Sequence, residues 1–257
     1  MITKYTMIFQ NEIINRLLKD IEPLQDQLIK SITCGLHMVA IEGAKLGFAS
    51  WSIPHHPVAE DLYPKIPNHI TMKELAHWLH DPDPLKASVG MAAYKALIPA
   101  LASPIWDSID VGELCLKLAT NKNVVVVGHF PFVSSLRSHF ETLTVLEKNP
   151  QAGDLKSEYA PQVLPKADLV IITATTLTNG TLNEILQSCT KESHKILVGP
   201  TTPLTLTLHE FGINFIAGTE VVNAEKLKET IKKGASFRHV QGVKFVIYAD
   251  ESQEMMH

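Results

Sequence analysis

A chain of 257 residues that is 45% hydrophobic can bury one large core or two modest ones, and its 19% charged residues fall below the rough quarter usual for soluble domains. The net charge of -4 and pI near 6.3 give no electrostatic footprint for a nucleic-acid partner, and no apolar stretch reaches the roughly 18 to 20 residues of a membrane span. Acids and amides occupy the place where a signal peptide would hold its apolar core, so the expected compartment is cytoplasmic; Cys34, Cys115 and Cys189 are isolated and odd in number, indicating neither a disulfide framework nor a thiolate metal knuckle.

Residues 11–22 place Ile13, Ile14, Leu17, Leu18 and Ile21 at three-to-four spacing, which predicts an amphipathic helix ended or kinked near Pro23. Two strand-like runs, Ile32 to Glu42 and Lys45 to Trp51, flank Gly43 and Ala44 as a hairpin turn. Pro54, Pro57, Pro64 and Pro67 then punctuate a loop that holds His55 and His56. Thr71 with Glu74 has capping-box spacing for a helix through His80. Asp83 and Pro84 supply N-cap and N1 for a second helix rich in small residues (Ala87, Gly90, Ala92, Ala93, Ala96), ending near Pro99. Residues 1–106 therefore read as a small α+β domain.

The pattern changes after the loop at Trp106, so residues 107–257 read as a second domain. Asp110 and Glu113 have capping-box spacing, and six strand candidates follow: Val124 to Val127, Leu143 to Leu146, Asp168 to Thr173, Lys195 to Val198, Ile213 to Ala217 and Val243 to Tyr248. Helical segments are expected after Val133, Asn179, Thr202 and Asn223. This alternation implies right-handed crossovers and a Rossmann-like, doubly wound sheet.

In open α/β sheets, ligands bind beyond the carboxyl ends of the strands. Val124 to Val127 is a β-branched run stopped by Gly128-His129-Phe130-Pro131, which lacks the further glycines of a dinucleotide fingerprint and so disfavours a nicotinamide dinucleotide. Glu147 ends the second strand about 20 residues later, where an acid accepts ribose hydroxyls in nucleoside-binding folds, or else it is a solvated loop acid. His129 is a base or ligand near neutral pH, or a residue fixing the turn. The loops after the third and fourth strands are rich in hydroxyls: Thr173, Thr175, Thr176, Thr178, Asn179 and Thr181, then Gly199, Pro200, Thr201 and Thr202. Such groups suit phosphate, carboxylate or polyhydroxylated ligands, although Thr181 with Glu184 and Thr202 before Pro203 have the spacing of helix caps. Gly153-Asp154 adds a turn whose carboxylate can reach the same rim.

Metal ligands are not grouped at motif spacing: His77 and His80 share a helix without an acid or thiolate partner, and His55-His56 lies in the proline-rich loop. No metal site is expected. Neither a serine nucleophile elbow nor a carboxylate pair at diagnostic spacing is present.

Several motifs occur in the order found in one family: Ala87-Ser88-Val89-Gly90-Met91-Ala92-Ala93, Val127-Gly128-His129-Phe130-Pro131, Gly153-Asp154, Leu164-Pro165 with Ala167-Asp168, and Val198-Gly199-Pro200 with Thr202-Pro203-Leu204. The chain resembles the proteins labelled putative heavy-metal chelation, and the resemblance covers most of its length. It implies a domain like the small enolase N-terminal domain, followed by a Rossmann-like domain similar to that of methyltransferases, with a cleft between them. It also implies condensation or hydrolysis of pterin-, flavin- or siderophore-like molecules. The family's small-residue helix usually carries asparagine where this chain has Lys95.

The expected function is that of an enzyme acting on a small polar metabolite between the two domains, and the alternative is a noncatalytic binding protein for a metallophore or metal chelate. Candidate catalytic residues are His129, Asp154 and Lys95; candidate binding residues are Gly128, Phe130, Pro131, Glu147, Thr173, Thr175, Gly199, Pro200, Thr201 and Thr202. The expected partner is a small-molecule ligand; the sequence names no cofactor, and the modest charge fraction is compatible with a homo-oligomer.

Overall fold

The computed structural model of the protein describes residues 4–51, 63–102 and 110–250. Helix α1 (Lys4–Ile21) buries Ile13, Ile14, Leu17, Leu18 and Ile21, as their spacing requires, and stops short of Pro23. Next come β1 (Ser31–Cys34), β2 (Met38–Glu42) and β3 (Leu46–Ser50), paired antiparallel in that order. The run read as one strand from Ile32 to Glu42 is thus two strands, broken at Gly35. The Gly35 amide donates to Met38 across the turn, and a side chain at Gly35 would meet the carbonyl oxygen of Ile231 at 2.1 Å, so glycine is what lets a distant helix pack against this turn. The Thr71–Glu74 capping box forms and opens α2 (Met72–Ala76), which tightens into a 3₁₀ turn through His80. The Asp83 carboxylate caps α3 (Pro84–Leu97) by accepting from the Leu85 amide.

The Trp106 boundary, and His55 and His56, lie outside the described residues. Asp110 caps α4 (Val111–Ala119), which leads into β4 (Asn123–Val127), α5 (Val133–Leu136) and β5 (Thr142–Glu147). A two-residue strand that sequence reading missed, β6 (Leu155–Lys156), precedes α6 (Ala160–Val163) and β7 (Leu169–Thr173). The remainder comprises α7 (Thr175–Thr178), α8 (Leu182–Ser188), β8 (His194–Val198), β9 (Phe215–Val221), α9 (Ala224–Lys232) and β10 (Val243–Ala249). The protein is therefore α/β, with a small antiparallel sheet followed by a mainly parallel seven-stranded sheet in the order β10-β9-β8-β7-β4-β5-β6. Only β10 runs antiparallel to its neighbour.

Alternate side chains of the large sheet serve different layers. Val124, Val126, Leu169 and Ile171 pack with Leu114, Cys115 and Leu118 of α4 on one face. Val125, Val127, Val170 and Ile172 join α1, α2, α3 and α8 in a core continuous with Val39, Ile41 and Ala49 of the small sheet. The opposite face of the small sheet, Met38, Ala40, Leu46 and Phe48, is covered by Leu227 and Ile231 of α9. The amino-terminal sheet is thus held between layers supplied by the rest of the chain. Gly47 lets α3 pack directly onto β3, since a side chain there would lie 2.1 Å from the carbonyl oxygen of Ala92.

Candidate functional site

The chain leaves β4 toward β5 on one side and returns to β7 on the other, so the loops after β4 and β7 diverge and leave a crevice at this switch point. Gly128 makes the first turn possible. Its φ of +103° suits glycine, and a side chain there would press within 2.9 Å of Thr173 Cγ2. Beyond it lies a cleft of about 960 Å³. Gly128 and His129 line it from the first loop, Glu147 from the end of β5, and Thr173, Thr175, Thr176 and Thr178 from the β7–α7 junction. The amino-terminal unit supplies Ser50, Trp51, Pro84 and Ser88, so the wall is built by both parts of the chain.

Each wall group has a local support. The indole N–H of Trp51 donates to the Gly35 carbonyl at 3.0 Å, and its ring stacks on Tyr63 with centroids 5.3 Å apart, fixing a side chain that is only 5% exposed. The Thr173 and Thr175 hydroxyl oxygens are 3.0 Å apart, so one donates to the other and that pair keeps one hydroxyl proton for another acceptor. Glu147 Oε1 accepts from the Lys148 amide at 2.8 Å. His129 Nδ1 lies 3.4 Å from Asp154 Oδ2; the imidazole is 45% exposed and the carboxylate 6%. Asp154 in turn accepts from the Gln151 amide at 2.9 Å, in a turn that Gly153 closes with φ of +95°. A carboxylate behind one ring nitrogen favours the proton on that nitrogen and leaves the other as an acceptor.

The predicted residues do not all come together. Gly128, His129, Glu147, Thr173 and Thr175 share the cleft, and Asp154 stands behind His129. Gly199 to Thr202 emerge from the same sheet edge, because β8 is parallel to β7, but Pro200 and Thr201 bond to the amino-terminal unit. Thr201 is fully buried and its hydroxyl accepts from the Ser50 amide at 3.0 Å; the Pro200 carbonyl accepts from Lys95 Nζ. Phe130 packs toward Phe132, with ring centroids 5.6 Å apart, and neither it nor Pro131 lines the cleft.

Two expected caps are not made. The Thr181 hydroxyl donates to Asn179 Oδ1 at 2.6 Å instead of capping α8. Thr205, not Thr202, caps the next helical turn, a 3₁₀ segment over Leu206–Phe211. The Thr202 hydroxyl is buried without a hydrogen-bond partner among the described residues.

A family model, DUF364, with the description "Putative heavy-metal chelation", matches residues 110–249, and a second of the same description, DUF4213, matches residues 14–98. The chain belongs to this heavy-metal chelation family. The Uncharacterized protein MJ0500 of Methanocaldococcus jannaschii is 31% identical over 175 residues, covering 63% of this chain and 68% of that protein. A DUF364 protein of unknown function from Desulfitobacterium hafniense shares the fold with a TM-score of 0.78 at 23% identity, over 93% of this chain and 98% of its own. Another, PH1506 from Pyrococcus horikoshii, gives a TM-score of 0.75 at 23% identity, over 94% and 99%.

In this family member, Lys95 belongs to the junction between the two sheets. Its ammonium donates to the Pro200 carbonyl and lies 4.7 Å from the centre of the Phe48 ring, and burial lowers its pKa to about 7. Sequence reading missed Asp20. It accepts from the hydroxyls of Tyr94, Thr205 and Thr207, each at 2.9 Å, and from Arg16 at 3.0 Å, joining α1, α3 and the Leu206–Phe211 turn. It also missed Ser50 and Trp51, which reach the cleft only because the small sheet is laid against the large one.

Among the described residues, no three histidine, cysteine, aspartate or glutamate side chains converge to hold a metal ion, and no helix is long and apolar enough to cross a membrane. Burial pushes the Cys115 thiol up to about 12 and Cys189 up to about 11, which leaves both poor nucleophiles near neutral pH.

Proposed function

We propose that the protein is an enzyme acting on a small, polar, heteroaromatic metabolite of pterin-, flavin- or siderophore-like type, by condensation or hydrolysis linked to heavy-metal chelation. The observation that carries this reading is the composition of the cleft, which joins the edge of a buried, fixed indole, a hydroxyl pair and an imidazole backed by a buried carboxylate. Trp51, 5% exposed, borders the apolar end of the ligand; Glu147, at the end of the second strand of the Rossmann unit, accepts from hydroxyls of a sugar or polyol arm; and Thr173 and Thr175 supply the opposite polar edge. His129, held by Asp154, acts as the base or acid at the reacting end.

The alternative is a noncatalytic carrier that holds a metallophore or metal chelate in the same cleft. It draws support from the scattered metal-ligating side chains among the described residues, since a carried metal would arrive with its own chelator. Incubating the purified protein with whatever small molecule mass spectrometry finds copurifying with it separates the two. Product formation supports the enzyme. Quantitative recovery of unchanged molecule, with tight binding by calorimetry, supports the carrier.

A further inference from the structure

We infer that His77 and His80 form a two-imidazole chelate for one divalent transition-metal ion of the Cu(II), Ni(II) or Zn(II) class, on a surface turn of the amino-terminal unit and apart from the cleft.

The local backbone brings the pair together. On an α-helix, side chains three positions apart are turned about 60° from one another. Past Ala76, however, α2 tightens into a 3₁₀ turn over His77–His80. There three residues complete a full turn, so side chains three apart eclipse, separated by about 6 Å along the axis. The imidazoles lie accordingly, with ring centres 6.4 Å apart and planes inclined by 24°. Read as part of an α-helix, the same spacing implies no such alignment.

The turn is held from behind. Leu79 is buried, and α3 packs so closely that a side chain at Gly90 would meet the Leu79 amide nitrogen at 2.5 Å. The two imidazoles are exposed, and among the described residues neither makes a hydrogen bond that would hold it elsewhere. An ion roughly 2.0 to 2.1 Å from one nitrogen of each ring sets the ring centres about 5 Å apart in tetrahedral geometry, so side-chain rotation on a fixed backbone closes the difference.

The chemistry of the donors fits. Burial first, and the neighbouring His77 second, lower the pKa of His80, which keeps that ring neutral and its lone pair available near neutral pH. The nearest acids are engaged: Asp81 pairs with Lys86 at 3.1 Å, and the Asp83 carboxylate caps α3. The chelate therefore has two protein ligands and leaves the remaining positions to water. Imidazole nitrogens suit Cu(II), Ni(II) and Zn(II), whereas Mg(II) and Ca(II) require oxygen ligands.

The test is calorimetric titration of the full chain, freed of any tag, with Cu(II) in a non-coordinating buffer at neutral pH, beside His77→Asn, His80→Asn and His139→Asn. His139 is an exposed histidine on the turn after α5 and serves as the control. Removing either half of the chelate is expected to weaken the tightest Cu(II) site at least about tenfold, because the second imidazole no longer acts at the effective concentration of a neighbour. His139→Asn should leave that site unchanged. All three positions are exposed, so the fold is expected to tolerate each substitution. Wild-type affinity retained in either His77→Asn or His80→Asn overturns the chelate. An equal loss in all three variants overturns it too, since that describes diffuse binding by the chain's histidines.

Discussion

Asp154 Oδ2 lies 3.4 Å from His129 Nδ1, although the two residues sit on loops that follow different strands of the sheet. The pairing sets a mostly buried carboxylate behind an imidazole that lines the cleft, the arrangement by which proteins fix the tautomer and orientation of a histidine. His129→Gln is expected to slow turnover of the cleft's substrate by roughly 10²- to 10⁴-fold. It should move the melting temperature little, because the side chain is 45% exposed. Single-turnover kinetics beside a thermal melt check this, and an unchanged rate would return His129 to a turn-fixing role.

Glu147→Gln keeps the shape of the side chain but removes its charge. Affinity for the copurifying molecule should fall by about 1.5 to 3 kcal/mol, roughly 10- to 150-fold in Kd, measured by calorimetry. Equal affinity would mean that Glu147 holds no ligand hydroxyl.

The Asp20 cluster is expected to matter for stability. Asp20→Ala leaves the hydroxyls of Tyr94, Thr205 and Thr207 without their acceptor, and Tyr94 is fully buried. Burial first, and the neighbouring Asp20 charge second, hold the Tyr94 phenol well above its ordinary pKa, so the phenol stays a donor. A loss of about 3 kcal/mol or more is expected by urea denaturation, since each stranded buried group costs about 1 to 3 kcal/mol.

Lys95 gives the stability a pH signature. Burial lowers its pKa from 10.5 to about 7, so between those values the unfolded chain binds more protons than the folded one. Stability contributed at this site therefore rises with pH across that window, and the penalty for burying the charge is fully present only below about 7. Lys95→Met should flatten that rise in urea titrations at several pH values. Parallel curves for the two proteins would show that the ammonium is as well solvated folded as unfolded.

How much of this could be read in the sequence depends on the range of the interactions. The Thr71–Glu74 box, the Asp83-Pro84 helix start and the β-branched run of β4 are set by neighbours within four residues, and all form as their spacing implies. The alternation of apolar runs was enough for the α/β class and for the sheet edge that carries the loops. What local patterns could not supply is the use made of side chains by distant partners. Thr201 looked free for a ligand but is taken by the Ser50 amide, 151 positions away. Gly35 must lack a side chain because α9 lies against it. Asp20 had no signal, since its hydroxyl partners are 74, 185 and 187 positions distant. The His129–Asp154 pair was visible only as two separate candidates until β6 brought the Gly153 turn alongside the end of β5.

The central claim, that the crevice between the β4 and β7 loops is where the ligand sits, is tested most directly by a crystal structure of the protein with its copurifying small molecule at saturating concentration. The account predicts that molecule against Trp51 and Gly128, with its hydroxyls within hydrogen-bond distance of Glu147 and its reacting end at His129. An ordered molecule bound elsewhere, such as the groove between Leu28 and His69, with the crevice empty, would contradict it.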